Sequence, residues 1–178
     1  MSLDGFITDP TAEIEDPGRL HDWMFAAKTD ADGAIVDEMY DVGAIVIGRR
    51  MFDLGVEPWG DPPPFGMPVF IVTSRPQAPM ERQGGTTYTF VGDGIDAALE
   101  QARAAAGDKA VGLWGGGDVF RQYLAAGLID EIHVHLAPVV LGGGIPLFEP
   151  RETAPIQLEP RGCVQTPGAT HLRFGVVR

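Results

Sequence analysis

The chain has 178 residues, 44% of them hydrophobic and 21% charged, and carries 13 Lys plus Arg against 25 Asp plus Glu for a formal net charge of −12. This length suits one globular domain, 1–178, with a real core, and the charge disfavours nucleic acid or anionic membrane as non-specific partners, since either would repel it. No apolar run approaches the roughly 20 residues of a membrane span, no secretory signal is visible, and Cys163 as sole cysteine excludes an internal disulfide or a four-cysteine metal site; a cytoplasmic enzyme or binding module is expected.

Ser2–Thr8 reads as the end of a strand, followed by a polar loop over 9–16. Pro17 stands where a helix can begin, and Leu20, Trp23, Met24 and Ala27 give that helix an apolar face. Ala44–Ile47 is a buried strand that Gly48 turns into a short helix carrying Met51, Phe52 and Leu54. Residues 56–68 form a proline- and glycine-rich loop, too stiff and short for a domain linker. Val69–Thr73 and Thr86–Val91 are strands, and Ile95–Ala106 is an alanine-rich helix bounded by Gly94 and Gly107. Lys109–Trp114 is another buried strand. Gly115, Gly116 and Gly117 turn the chain, Asp118 is placed to cap a helix, and Val119, Phe120, Tyr123 and Leu124 recur at helical spacing until Gly127. Ile129–Val140 reads as one long strand, and Ile156–Leu158 with Leu172–Val177 as a hairpin across 166–168. Strand–helix alternation followed by consecutive strands predicts an α/β fold with a mostly parallel central sheet and a C-terminal antiparallel hairpin.

Three strand ends carry residues suited to phosphate: Gly48-Arg49-Arg50-Met51, Thr73-Ser74-Arg75 and the glycine turn. Ligands of open α/β sheets sit beyond the carboxyl ends of the strands. Arginine donates bidentately to phosphate oxygens, and a glycine turn feeding a helix presents free N–H groups at a positive dipole end. A triple glycine alone also serves plain chain reversal, and single arginines are commonly solvated; the coincidence of three ends points to one anionic ligand.

Ser2-Leu3-Asp4-Gly5-Phe6-Ile7, Gly48-Arg49-Arg50-Met51-Phe52-Asp53, Thr73-Ser74-Arg75, Gly115-Gly116-Gly117-Asp118-Val119-Phe120 and Leu128 through Pro138 occur in that order. Together they resemble the C-terminal reductase domain of the riboflavin-biosynthesis deaminase–reductase, within the dihydrofolate reductase superfamily. The resemblance spans nearly the whole chain and closes with Val139-Val140-Leu141-Gly142-Gly143-Gly144. It implies a three-layer dihydrofolate-reductase-like fold and NADPH as cofactor. Arg49, Arg50, Thr73, Ser74 and Arg75 would then hold the adenosine 2′-phosphate and adenine, with Gly48 and Met51 wrapping the nucleotide. Gly115, Gly116, Gly117, Asp118, Val119 and Phe120 would hold the pyrophosphate, and Ser2–Ile7 would pass the nicotinamide.

Two departures shape the chemistry. Relatives generally have a full strand before Ser-Leu-Asp-Gly, whereas this chain starts at Met1, so its first strand is either short or preceded by further residues. The acidic residue that dihydrofolate reductase places three positions before a tryptophan is Leu20 here, if Trp23 is the match, which disfavours folate reduction. No His-x-Glu with Pro-Cys-x-x-Cys is present, so the deaminase zinc signature is absent. Asp4 is the candidate proton donor, with capping of its own turn as the alternative; Asp53 and His21 rank below it. His133 and His135 share a strand face, but no third ligand suggests a metal. Trp23, Phe25, Trp59, Phe65 and the proline loop are candidate walls of a substrate pocket, with a place in the core as the alternative for each. The expected activity is an NADPH-dependent reductase of a small heterocyclic or carbonyl-type substrate. The alternatives are a riboflavin-pathway ribosylaminopyrimidine phosphate reductase and a nucleotide-binding module without turnover. The apolar residues between Ile129 and Phe148 suggest a homodimer, unless the tail folds back over them.

Overall fold

The computed structural model describes residues 1–8, 20–25, 29–149 and 155–178. The expected polar loop 9–16, the helix start at Pro17 and Ala27 lie outside the described residues. The first half forms β1 (Phe6–Thr8), α1 (Asp22–Phe25), α2 (Asp30–Tyr40), β2 (Ala44–Gly48), α3 (Arg49–Gly55), β3 (Val69–Val72), β4 (Met80–Glu81) and β5 (Thr87–Val91). Then come α4 (Gly94–Ala106), β6 (Val111–Gly115), α5 (Gly117–Ala125), β7 (Glu131–Leu136), β8 (Ile145–Pro146), β9 (Leu158–Gln165) and β10 (Thr170–Val176). They divide into two compact units. One runs from Asp37 to Gln122, and the other joins Met1–Val36 to Tyr123–Arg178.

The continuous unit holds a five-stranded sheet in the order β4-β5-β3-β2-β6. β5, β3, β2 and β6 are parallel and β4 pairs antiparallel with β5. All five residues of β2 are buried, as expected for a central strand covered on both faces. Ile45 and Ile47 line up with Val69 and Ile71, and these with Tyr88 and Phe90. Phe52 of α3 and Phe65 complete that face of the core. Right-handed crossovers in opposite directions, from β2 to β3 and from β5 back to β6, place α3 and α4 on opposite faces. Ala98 and Ala102, fully buried on α4, leave room for that helix to lie close to the strands. Close packing also explains Gly43, where a Cβ would fall 2.5 Å from the Ala106 carbonyl oxygen.

In the discontinuous unit, β10 lies between β7 and β9 in an antiparallel three-stranded sheet, while β1 pairs with β8. The tail therefore folds back along the Ile129 segment. The long strand expected over Ile129–Val140 is shorter, Glu131–Leu136; at its end the Ala137 N–H donates to the Met1 carbonyl at 2.9 Å, and Pro138 has no N–H for a ladder bond. β9 starts at Leu158 and runs to Gln165 with every residue exposed; Pro160 and Gly162 hide its alternation in the sequence. α2 was not anticipated. It has no strong apolar stripe but carries a capping box, in which Thr29 N–H donates to Asp32 Oδ2 at 3.1 Å and Asp32 N–H to Thr29 Oγ1 at 3.2 Å.

His135 and His171 face each other directly across β7 and β10. Their Nδ1 atoms are 2.7 Å apart, so one neutral ring donates and the other accepts. Trp23 stacks on His135 at 4.5 Å and meets His171 edge-on at 4.9 Å. Burial first, then the neighbouring His171, the Met1 amino group and His133, push His135 down to about 3. Burial also lowers His171, with Asp32 pulling the other way. Because His135 is neutral when folded and protonates near pH 6.5 when unfolded, its stabilisation is complete above pH 6.5 and declines toward pH 3. In histidine ring NMR spectra, His135 is expected to stay neutral from pH 7 to pH 5; titration near 6.5 would contradict the buried pair.

Candidate functional site

β3, β2 and β6 are adjacent and parallel, so their carboxyl ends share one edge, with Gly48 opposite Val72 and Ile47 opposite Gly115. The chain leaves β2 toward β3 and β5, then returns to β6 on the other side of β2. That reversal is the topological switch point at which open α/β sheets bind ligands.

Each of the three ends contributes differently. At β2, Gly48 is buried and extended, and a Cβ there would sit 3.0 Å from Val119 Cγ2 and 3.5 Å from the Gly116 nitrogen. A side chain at position 48 would thus push α5 away from the strand. At β6, Gly115 adopts φ +125°, a region that favours glycine, and the Gly115–Gly116 peptide is cis. Met51 Sδ lies 3.3 Å from where a Gly115 Cβ would be. Around Gly116, by contrast, nothing lies within 4 Å of a built Cβ, leaving open space beside the start of α5. Phe120 N–H donates to the Gly116 carbonyl at 3.1 Å, so the N–H groups of Gly117, Asp118 and Val119 precede the first closed turn and are available to an anion. Asp118 lies inside this turn, not at the cap, and its carboxylate pairs with Arg121.

The start of α3 after β2 and the β3 end together supply the cations. Thr73 is buried and its Oγ1 accepts the Arg75 N–H at 3.0 Å, shaping the Thr73–Ser74–Arg75 turn. Arg49 Nε donates to Asp53 Oδ1 at 2.6 Å, Arg75 Nη2 donates to Asp53 Oδ2 at 3.1 Å, and Arg49 Nη1 donates to the Arg75 carbonyl at 3.1 Å. The Arg49 guanidinium carbon lies 5.7 Å from the Phe52 ring centre and 5.5 Å from that of Phe90. Arg50 is exposed with no ion pair among the described residues. All thirteen residues expected at the cofactor therefore fall on or beside one sheet edge of the continuous unit. Asp53, ranked from the sequence only as a lesser proton-donor candidate, is the carboxylate joining its two arginines; the Arg49–Asp53 spacing of four on a helix is the signal for that role.

The remaining expected residues lie elsewhere. Phe65 is in the core of the continuous unit, with half-buried Trp59 packed edge-on against it at 4.9 Å. Trp23 is in the discontinuous unit, 5% exposed and stacked on the histidine pair. Asp4 belongs to the same unit, where its two oxygens accept the N–H groups of Leu141 at 3.1 Å and Gly142 at 2.7 Å. A hydrogen bond from Ser2, joined by those backbone donors, holds its carboxyl down to about 2. A carboxylate so engaged is ionised at neutral pH and anchors the 141–142 loop. Among the described residues no His, Cys, Asp and Glu group is arranged to hold a metal ion, and no helix is long and apolar enough to cross a membrane.

The chain belongs to the RibD C-terminal domain family, which it matches over residues 1–172. It is 28% identical over 158 residues to the uncharacterized Bacillus subtilis protein YyaP, covering 83% of this chain and 76% of that protein. Uncharacterized YwjB from the same organism is 25% identical over 181 residues, covering 98% and 92%. Among solved structures, a Shewanella sp. PV-4 protein assigned to riboflavin biosynthesis superposes with TM-score 0.74 at 24% identity, covering 100% of this chain and 96% of that one. The Thermotoga maritima diaminohydroxyphosphoribosylaminopyrimidine deaminase/5-amino-6-(5-phosphoribosylamino)uracil reductase gives TM-score 0.66 at 12% identity, over 99% of this chain and 54% of that longer one. The fold is therefore that of the RibD reductase domains, the dihydrofolate-reductase-like fold expected from the sequence. Family membership supports a reductase of that type.

The two adjacent glycines should respond oppositely to substitution. Gly116→Ala is expected to leave thermal stability nearly unchanged, since its methyl group meets open space. Gly115→Ala, forced to φ +125°, should lose about 1–2 kcal/mol in a denaturant titration. Equal losses would contradict this geometry.

Proposed function

We propose that this protein is an NADPH-dependent reductase of a small heterocyclic or carbonyl-type substrate. The observation that carries this reading is the single sheet edge on which the open Gly116 turn and the Arg49–Arg75 pair converge. A dinucleotide with two phosphate regions suits it: a pyrophosphate at the start of α5, and a phosphomonoester beside the arginines. Gly48 serves by keeping α5 close enough for its first N–H groups to reach a ligand lying over β2. Bound there, reduced nicotinamide supplies the hydride; the chain supplies position and charge.

Asp4 remains the proposed proton donor of this reading. With its carboxyl at about 2, a bound substrate must displace the Ser2, Leu141 and Gly142 donors before it can hold a proton at pH 7. Trp59 is the more accessible of the proposed pocket aromatics in the continuous unit. Family membership favours a second reading, reduction of a ribosylated aminopyrimidine phosphate of the riboflavin pathway. NADPH consumption at 340 nm across aminopyrimidine ribosides, dihydropterins and simple carbonyl compounds tests turnover. Tight NADPH binding without consumption of any would leave a nucleotide-binding module.

Cofactor preference is the sharper test. Arg49→Ala with Arg50→Ala should weaken NADPH by about 1.5–3 kcal/mol per charged hydrogen bond lost, while NADH binding changes little. Equal affinity for the two cofactors in the unmodified protein would contradict the phosphomonoester site. Gly116→Val should remain folded yet lose cofactor binding, its branched side chain filling the open space.

Homodimer formation is proposed on a different surface from the one the sequence suggested. Ile132 and Val134 are buried and β7 pairs with β10, but β9 is a fully exposed edge bearing Leu158 and Val164. Such an edge invites a second copy. Light scattering at micromolar concentration should give twice 19.0 kDa; a single-chain mass would contradict it.

A further inference from the structure

We propose that Asp53 is a positioning residue that assembles the arginine pair for a phosphomonoester, a role that rests on the NADPH reading above. Two guanidinium groups side by side repel each other, and Arg75 is largely exposed, so neither charge nor packing alone would keep them together. The Asp53 carboxylate resolves this by giving one oxygen to each: Oδ1 to Arg49 Nε at 2.6 Å and Oδ2 to Arg75 Nη2 at 3.1 Å. Asp53 lies one helical turn after Arg49 on α3, so the backbone fixes where that carboxylate stands. The Arg49 bond to the Arg75 carbonyl ties the helix to the β3 turn, and Phe52 and Phe90 flank its guanidinium.

The arrangement leaves donors to spare. Of five N–H groups on each guanidinium, these bonds use two on Arg49 and one on Arg75. The others are free to meet the oxygens of a phosphate, and the cluster keeps a net positive charge. Removing the carboxylate has two opposed consequences. It raises the positive potential, which favours an anion, and it releases the largely exposed Arg75 side chain to many rotamers and frees Arg49 Nε from its partner, so that the pair must be ordered again on binding. Asp53 and Arg75 are exposed enough for water to screen the first effect. Ordering a long side chain at an interface opposes binding whatever the screening. The second effect therefore dominates.

The test is fluorescence titration of NADPH and of NADH into the full chain, its Asp53→Asn variant and its Asp53→Glu variant. Nε-detected NMR of Arg49 is recorded on the same samples without cofactor. Asp53→Asn should weaken NADPH about tenfold, leave NADH within about twofold, and move the Arg49 Nε–H resonance toward that of free arginine. Asp53→Glu should recover part of the loss. Unchanged or tighter NADPH binding by Asp53→Asn would overturn the proposal and make Asp53 a competitor of the phosphate. Equal loss of both cofactors would also overturn it, indicating a general structural role. An unmodified protein that binds both cofactors equally would instead overturn the NADPH reading, and this role with it.

Discussion

The close approach of α5 to the end of β2 is the constraint on which the candidate site depends. It exists because Gly48 has no side chain: a Cβ there would already touch Val119 and stand 3.5 Å from the Gly116 nitrogen. With α5 held at that distance, its unpaired first N–H groups sit beside the switch point of the sheet, where β2 turns into α3. The parallel register of β3, β2 and β6 then brings the Thr73–Arg75 turn to the same edge. Local choices at a few small residues thus place chemistry contributed by segments more than sixty positions apart.

Charge organisation follows from the same edge. A chain with a net charge of −12 does not attract anions as a whole; a local field must be built and protected. Phe52 and Phe90 flank Arg49 with rings of the hydrophobic core, and Asp53 lets a second arginine stand beside it. Asp118, whose charge would oppose an anion at the start of α5, is instead paired with Arg121.

Much of this was legible in the sequence because it rests on local rules. Ala44–Ile47, Val69–Val72 and the alanine-rich α4 announce themselves by continuous apolar character and by glycine boundaries, and motif order carried the family. What escaped depended on tertiary partners or on weak patterns. α2 lacks a clear apolar stripe, and its one local signal, the Thr29–Asp32 capping box, went unread. The C-terminal hairpin is present, but of β9 only Leu158 falls in the apolar pattern that marks it, because the strand is exposed throughout. The His135–His171 pair joins residues thirty-six positions apart whose contact only the β7–β10 register creates. Trp23 read as a pocket wall because an aromatic on an amphipathic helix looks the same from sequence whether it faces a ligand or a buried histidine. Asp53 had a recognisable helical spacing to Arg49, but its second partner, Arg75, lies on another strand end.

One sheet edge is proposed to bind both phosphate regions of a dinucleotide. The most direct measurement is mapping of backbone amide chemical shifts on addition of NADP⁺ to the 178-residue chain. The largest changes are expected together at Gly48–Arg50, Thr73–Arg75 and Gly116–Phe120. Saturable binding whose shifts leave those three segments unmoved, or move only one of them, would contradict it.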